Sequence, residues 1–129
     1  KVRSAKPALT YQAHVQNEGW QNWRQESELA GTEGKYRRME ALRIKLQGGE
    51  DAVQGSVEYR AHVQDYGWMD WKKDGELSGT QGQSKRMEAI EIRLTGEFAE
   101  QYDIYYRVNG EGKGWLDWTV NGGDAGSTG

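Results

Sequence analysis

The stretch YRAHVQDYGWMDWKKDGELSGTQGQSKRMEAIEIRL, Tyr59 to Leu94, shares its 36-residue length and 19 identical positions with Tyr11 to Leu46. Its front part starts again at Tyr106. Inside the unit Gly-Trp-x-x-Trp recurs as Gly19-Trp20 with Trp23, Gly67-Trp68 with Trp71, and Gly114-Trp115 with Trp118. These three pairs use all six tryptophans of the chain. A unit this short cannot bury its own apolar face and must pack against its copies. At 129 residues the chain is expected to form one domain. The expected division is a tail at 1–8, repeats at 9–56 and 57–103, and a third repeat at 104–129 without its last strand.

Each unit opens on an alternating row: Leu9, Tyr11, Ala13, Val15; then Val57, Tyr59, Ala61, Val63; then Ile104, Tyr106, Val108. A period of two predicts a strand with one buried face. The other face carries Gln12, His14 and Gln16, or Arg60, His62 and Gln64, and is expected to be polar. The row breaks at the glycine before the first tryptophan. Lys73-Asp74-Gly75 and Val120-Asn121-Gly122 then predict tight turns, since Asp-Gly and Asn-Gly tolerate positive φ. Copy one has Glu26-Ser27 there, a weaker turn signal. A glycine-rich loop follows, Leu29 to Gly34 or Leu77 to Gly82. Ile90, Ile92 and Leu94, matched by Leu42, Ile44 and Leu46, predict a closing strand, with a helix over Arg86 to Leu94 as the competing reading. Met87 and Ala89 fall out of phase with Ile90 and Ile92, which predicts a bulge or bend. Between copies, Phe98 and Tyr102 can share one helical turn.

These elements predict an all-β domain with pseudo-threefold symmetry, β-prism-like with a β-trefoil as the alternative. The third unit ends before its closing strand, which predicts an open edge and self-association through it.

Composition narrows function more by exclusion than by assignment. Net charge is −3 with both signs interspersed, so no basic footprint for nucleic acid is present. There is no cysteine, hence no disulfide framework or thiolate metal site. No apolar run is long enough for a membrane helix, and no membrane insertion is expected. Lys1 rather than Met stands first, which reads as a processed product or a recombinantly expressed fragment. With six tryptophans and seven tyrosines, the expected core is aromatic rather than aliphatic. No nucleophile elbow, zinc-protease helix or phosphate loop appears, so neither catalysis nor a cofactor is expected.

Tyr-x-Ala-His-Val-Gln, Gly-Trp-x-x-Trp, Gly-Glu-Leu-Ser-Gly-Thr-x-Gly and Arg-Met-Glu-Ala-Ile-x-Ile-x-Leu together resemble the ChW repeat family, clostridial hydrophobic repeats with a signature tryptophan. The resemblance covers nearly everything after Pro7. It is fullest at Tyr59 to Leu94 and weakest in the third unit, where Asn109 and Gly110 replace the histidine and valine. It implies binding rather than catalysis, in secreted or surface-attached proteins of Gram-positive bacteria. Glycan or cell-wall polysaccharide is the leading implied partner. A host surface protein or immunoglobulin is the alternative.

The candidate ligand-binding residues are Trp20, Trp23, Trp68, Trp71, Trp115, Trp118, His14, His62, Asn22, Asp70 and Asp117. Indole is both a platform for sugar C–H faces and a filler of β cores. In a flat strand, residues three apart point to opposite faces, so one tryptophan of each pair is expected in the core and the other outside. His14 and His62, 48 positions apart, have no cysteine, histidine or acidic cluster around them to complete a metal site. A hydrogen bond to loop backbone competes with ligand contact for them. Asn22, Asp70 and Asp117 hold one position of the tryptophan motif and suit turn capping or polyol recognition. Arg38 with Glu40, and Arg86 with Glu88, are expected as charge pairs joining adjacent copies.

Overall fold

The computed structural model describes residues 8–25, 39–47, 55–81, 83, 85–110, 114–115 and 118–126. In the first copy β1 (Ala8–Val15) leads to β2 (Gly19–Trp20) and β3 (Arg24–Gln25), and β4 (Met39–Gln47) closes the unit. The second copy follows the same plan with β5 (Val57–Val63), β6 (Gly67–Trp68), β7 (Lys72–Lys73), β8 (Ser78–Gly79) and β9 (Met87–Leu94). Then come α1 (Glu97–Gln101), β10 (Tyr105–Tyr106), β11 (Asn109–Gly110), β12 (Gly114–Trp115), β13 (Thr119–Val120) and β14 (Ala125–Gly126). The chain is therefore all-β, with one short helix among the described residues. The helix is the turn expected around Phe98, which it buries, and it ends with the Tyr102 amide donating to Phe98 O. Glu26-Ser27, the Leu29 to Gly34 loop and Arg38 lie outside the described residues.

Strand order is β2-β1-β4-β8 in one sheet, with β3 also on β1, and β6-β5-β9-β14 in the other, with β7 also on β5. Both sheets are antiparallel and open. β10 pairs β13, and β11 pairs β12, as separate two-stranded ribbons.

The alternating rows bury as the period of two requires: Val57, Tyr59, Ala61 and Val63 are inside, while Glu58, Arg60 and His62 are only partly covered. The predicted shift in the closing strand is also present. Register slips where His62 faces Ala89 but Val63 faces Met87, leaving Glu88 as the extra residue. The first copy slips identically between His14 and Val15, around Glu40. Asp74 and Gly75 take φ of 48° and 90°, and Asn121 and Gly122 take 47° and 87°, so both predicted turns have two consecutive residues at positive φ.

The two copies are joined by strand donation. β8 of the second copy pairs with the closing strand of the first, Gly79 opposite Ala41 and Ser78 opposite Leu42. β14 pairs with the closing strand of the second, Gly126 opposite Ala89 and Ala125 opposite Ile90. Both glycines lie in the left-handed half of φ space, at 107° and 112°. A Cβ at Gly79 would overlap Glu40 O and sit 2.8 Å from Ala41 Cα; one at Gly126 would overlap Glu88 O and sit 2.7 Å from Ala89 Cα. Only glycine permits this approach.

Turn and tyrosine complete each junction. Gly75 N donates to Ile44 O at 2.7 Å, and Gly122 N to Ile92 O at 2.7 Å. Ile92 N donates to the Tyr106 hydroxyl at 3.0 Å, and the Ile44 backbone bonds the Tyr59 hydroxyl in the same way. Those hydroxyls in turn donate to Gly123 O and Glu76 O. Tyr59 is fully buried and Tyr106 nearly so, and burial pushes both phenols above their ordinary pKa.

One core cluster spans both sheets: Leu42, Ile44, Val57, Tyr59, Ile90, Ile92, Ile104, Tyr106 and Ala125. Each fully buried Val, Ile or Tyr contributes on the order of 1.5–3 kcal/mol, so this layer dominates stability. The expectation of an aromatic core needs correction. The cluster is aliphatic with two tyrosines, and none of the described tryptophan side chains belongs to it.

Candidate binding face

Trp20, Trp23, Trp68 and Trp71 sit on the outer side of the two large sheets, among the polar residues that the alternation turns away from the core. β2 and β6 reverse the chain against β1 and β5, placing Trp20 opposite His14 and Trp68 opposite His62. Left-handed Asn17 and Gly19, or Asp65 and Gly67, make that reversal. Residues 21–23 and 69–71 then leave the strand, held by Gln21 N on Ala13 O and Met69 N on Ala61 O, each at 2.9 Å. Strand geometry therefore does not link the two indoles of a pair. That is why the expected split between core and exterior fails in the two complete pairs. Trp20, Trp68 and Trp71 are half-buried, and Trp23 is 38 % exposed.

The indoles are filed against cations. In the second copy the Arg60 guanidinium lies 4.7 Å from the Trp68 ring centre and 4.8 Å from that of Trp71. Arg93 lies over Trp71 at 3.8 Å. The order is Trp68, Arg60, Trp71, Arg93. In the first copy Arg43 covers Trp20 at 4.1 Å, and Lys45 covers Trp23 at 4.4 Å. Arg107 lies over Trp118 at 4.6 Å, and Trp118 is 59 % exposed. Each such contact is worth about 0.5–1 kcal/mol at an exposed site, less than one core side chain, so its main effect is to hold long cations in fixed positions.

The cation nearest the first indole comes from different strands in the two copies. Arg60 is on the opening strand and Arg43 on the closing strand, yet both belong to one cross-strand register pair: Arg60 with Glu91, Gln12 with Arg43. Arg60 Nε donates to Glu91 Oε1 at 2.6 Å, whereas Arg43 Nη1 donates to Gln12 Oε1 at 3.3 Å. Arg93 is paired with Glu58 at 2.8 Å, while the register partner of Lys45 is the neutral Thr10.

Beneath the first indole lies a repeated trio. His62 meets the Trp68 ring edge-on at 5.2 Å, and its Nδ1 is 3.0 Å from Glu88 Oε1. His14 and Trp20 make the same contact at 5.2 Å, with Glu40 Oε1 3.1 Å from His14 Nδ1. The histidine partner is thus the carboxylate of the bulge residue, not the loop backbone that was the competing reading. The expected Arg86–Glu88 pair forms within one copy at 3.8 Å rather than between copies.

Asn22 and Asp70 are exposed between the two indoles. Trp115 lies in β12, with Asn109 as its strand partner. Asp117 lies outside the described residues. Among the described residues, no three His, Asp or Glu side chains converge as a metal site would require, and no helix is long and apolar enough to cross a membrane. Sequence reasoning missed Arg43, Lys45, Arg60, Arg93 and Arg107. The available signal was the row of cations on the polar phase of the opening and closing strands.

Burial holds the Glu91 carboxyl above the usual carboxylate range, and a side-chain hydrogen bond with Asp124 adds to this, while Arg60 opposes it. This places a carboxyl pair where β14 docks.

A family model described as Clostridial hydrophobic W (ChW) matches residues 14–48 and 62–96. No curated protein and no solved structure matches the chain.

Proposed function

We propose that this chain, which belongs to the ChW family, is a non-catalytic binding module that recognises glycan or cell-wall polysaccharide. The single observation behind this reading is the repeated outer face. In both copies two indoles are kept out of the core and locked among cations, with exposed Asn22 or Asp70 between them. Rigid aromatic surface combined with fixed hydrogen-bond donors suits a polyol whose rings present C–H faces and hydroxyls. Such equivalent faces gain strength together through multivalency. The same reading places the module in a secreted or surface-attached protein of a Gram-positive bacterium.

We also infer that residues 104–129 are a third, partial copy. The support is their pairing at a 47-residue offset: Tyr106 with Thr119 as Tyr59 with Lys72, and Gly126 docking as Gly79 does. A head-to-tail junction used twice fits a pseudo-threefold, prism-like body, with a trefoil as the alternative. β10 has no closing strand among the described residues, and self-association through that edge is tested by light scattering across a concentration series. A strict monomer overturns it.

The binding reading is tested by retention on purified Gram-positive cell wall and a glycan array. Retention is expected, with competition by free sugar and loss in Trp71→Ala while the circular dichroism of the fold persists. Capture of a single protein, unaffected by free sugar, would contradict the reading.

A further inference from the structure

The two copies present the same indole row with opposite charge bookkeeping. In the second copy each stacked guanidinium has a carboxylate: Arg60 with Glu91 at 2.6 Å and Arg93 with Glu58 at 2.8 Å. In the first copy the cross-strand positions of those acids and partners hold Gln12 and Thr10. Among the described residues no carboxylate lies within ion-pair distance of Arg43 or Lys45. Two positive charges therefore stand over Trp20 and Trp23 with no carboxylate partner among the described residues, in a chain whose net charge is −3.

We propose that the outer face of the first copy binds an anionic polysaccharide, Arg43 and Lys45 engaging its carboxylate or phosphate groups while a sugar ring lies against the exposed part of Trp23. The inference rests on the glycan reading above and specifies its ligand class for one copy. Stacking on indole already fixes both cations, so little side-chain entropy is lost when an anion arrives. Charge-assisted hydrogen bonds from a guanidinium are the stronger kind, and Arg43 has spent one Nη1 contact on a neutral amide. The second copy, with its cations already paired, is the face for neutral segments of the same or another chain. Arg60 and Arg93 there release nothing to an incoming anion unless Glu91 or Glu58 is displaced.

The test titrates the whole chain with polygalacturonate, with its fully methyl-esterified form, and with a phosphomannan, at low and high salt. Binding of an acidic polymer is expected to exceed that of the ester and to weaken as salt rises. The paired exchange Gln12→Arg with Arg43→Glu copies the second copy's arrangement into the first, keeping a guanidinium beside Trp20 while cancelling its charge. It is expected to weaken acidic-polymer binding about tenfold with the unfolding midpoint retained. Preference for polygalacturonate or for the phosphate polymer distinguishes the two anion sources, and either one supports the proposal. Equal binding of acid and ester, or wild-type affinity in the exchanged variant, overturns it while leaving the glycan reading standing. Failure of all three polymers to bind overturns it as well, and retention on cell wall then decides the glycan reading separately.

Discussion

Ser78 shows how the junction tolerates chemistry at a single position. It is 2 % exposed, and its hydroxyl has no hydrogen-bond partner among the described residues. The matching residue at the other junction is Ala125. A buried, unsatisfied hydroxyl costs about 1–3 kcal/mol. Ser78→Ala is expected to raise the unfolding free energy by about 1 kcal/mol, read by urea denaturation. At this scale the tryptophans were the least legible residues. Alternation was a sound guide for Val57, Tyr59 and Ala61, which lie in one continuous strand. It misled for Trp20 and Trp23, because the chain leaves the strand between them. Counting residues cannot assign a face once that continuity is broken. The histidines were half legible: alternation placed them on the polar phase, but their carboxylate partners depend on the bulge.

Bulge, turn and donated strand are the elements that set the site. The bulge was legible from the phase shift around Ala89 and Ile90, and the turns from Asp74-Gly75 and Asn121-Gly122. Strand donation was not, since Leu-Ser-Gly reads as loop until its partner strand is known. At the donated strand β14, Asp124 meets Glu91. The folded-state pKa of Glu91 lies above its ordinary value, so the folded chain holds that proton to a higher pH than the unfolded chain does. Its stabilising contribution is full below the unfolded pKa and is lost as pH rises through the raised one. Asp124→Asn removes the second carboxyl and is expected to melt higher than the wild type at pH 7. That advantage is expected to vanish near pH 4, as thermal melts across this range will record.

At the scale of the whole molecule, buried tyrosines of β5 and β10 tie each of these strands to the closing strand before it. Tyr106 accepts from Ile92 N and donates to Gly123 O, and Tyr59 repeats the pattern with Ile44 and Glu76. Tyr106→Phe leaves the Ile92 amide unpaired and is expected to cost about 1–3 kcal/mol. Hydrogen exchange at Ile92 is expected to accelerate more than at Ile44. The repeat made these tyrosines legible as core residues, since they share the apolar phase with Val57 and Ile104. Their bridging hydroxyls were not legible, because the partner lies on the preceding closing strand. The same division runs through the molecule: short-range rules gave the aliphatic layer, while cross-strand register decided the indole face.

The paired indoles of the first two copies are surface groups held by cations rather than core residues. The unfolding free energy of Trp23→Ala tests this most directly. A loss of about 1 kcal/mol, the worth of one exposed cation–π contact and some covered area, is the predicted result. A loss of about 3–5 kcal/mol, as truncation of a core tryptophan produces, would contradict it.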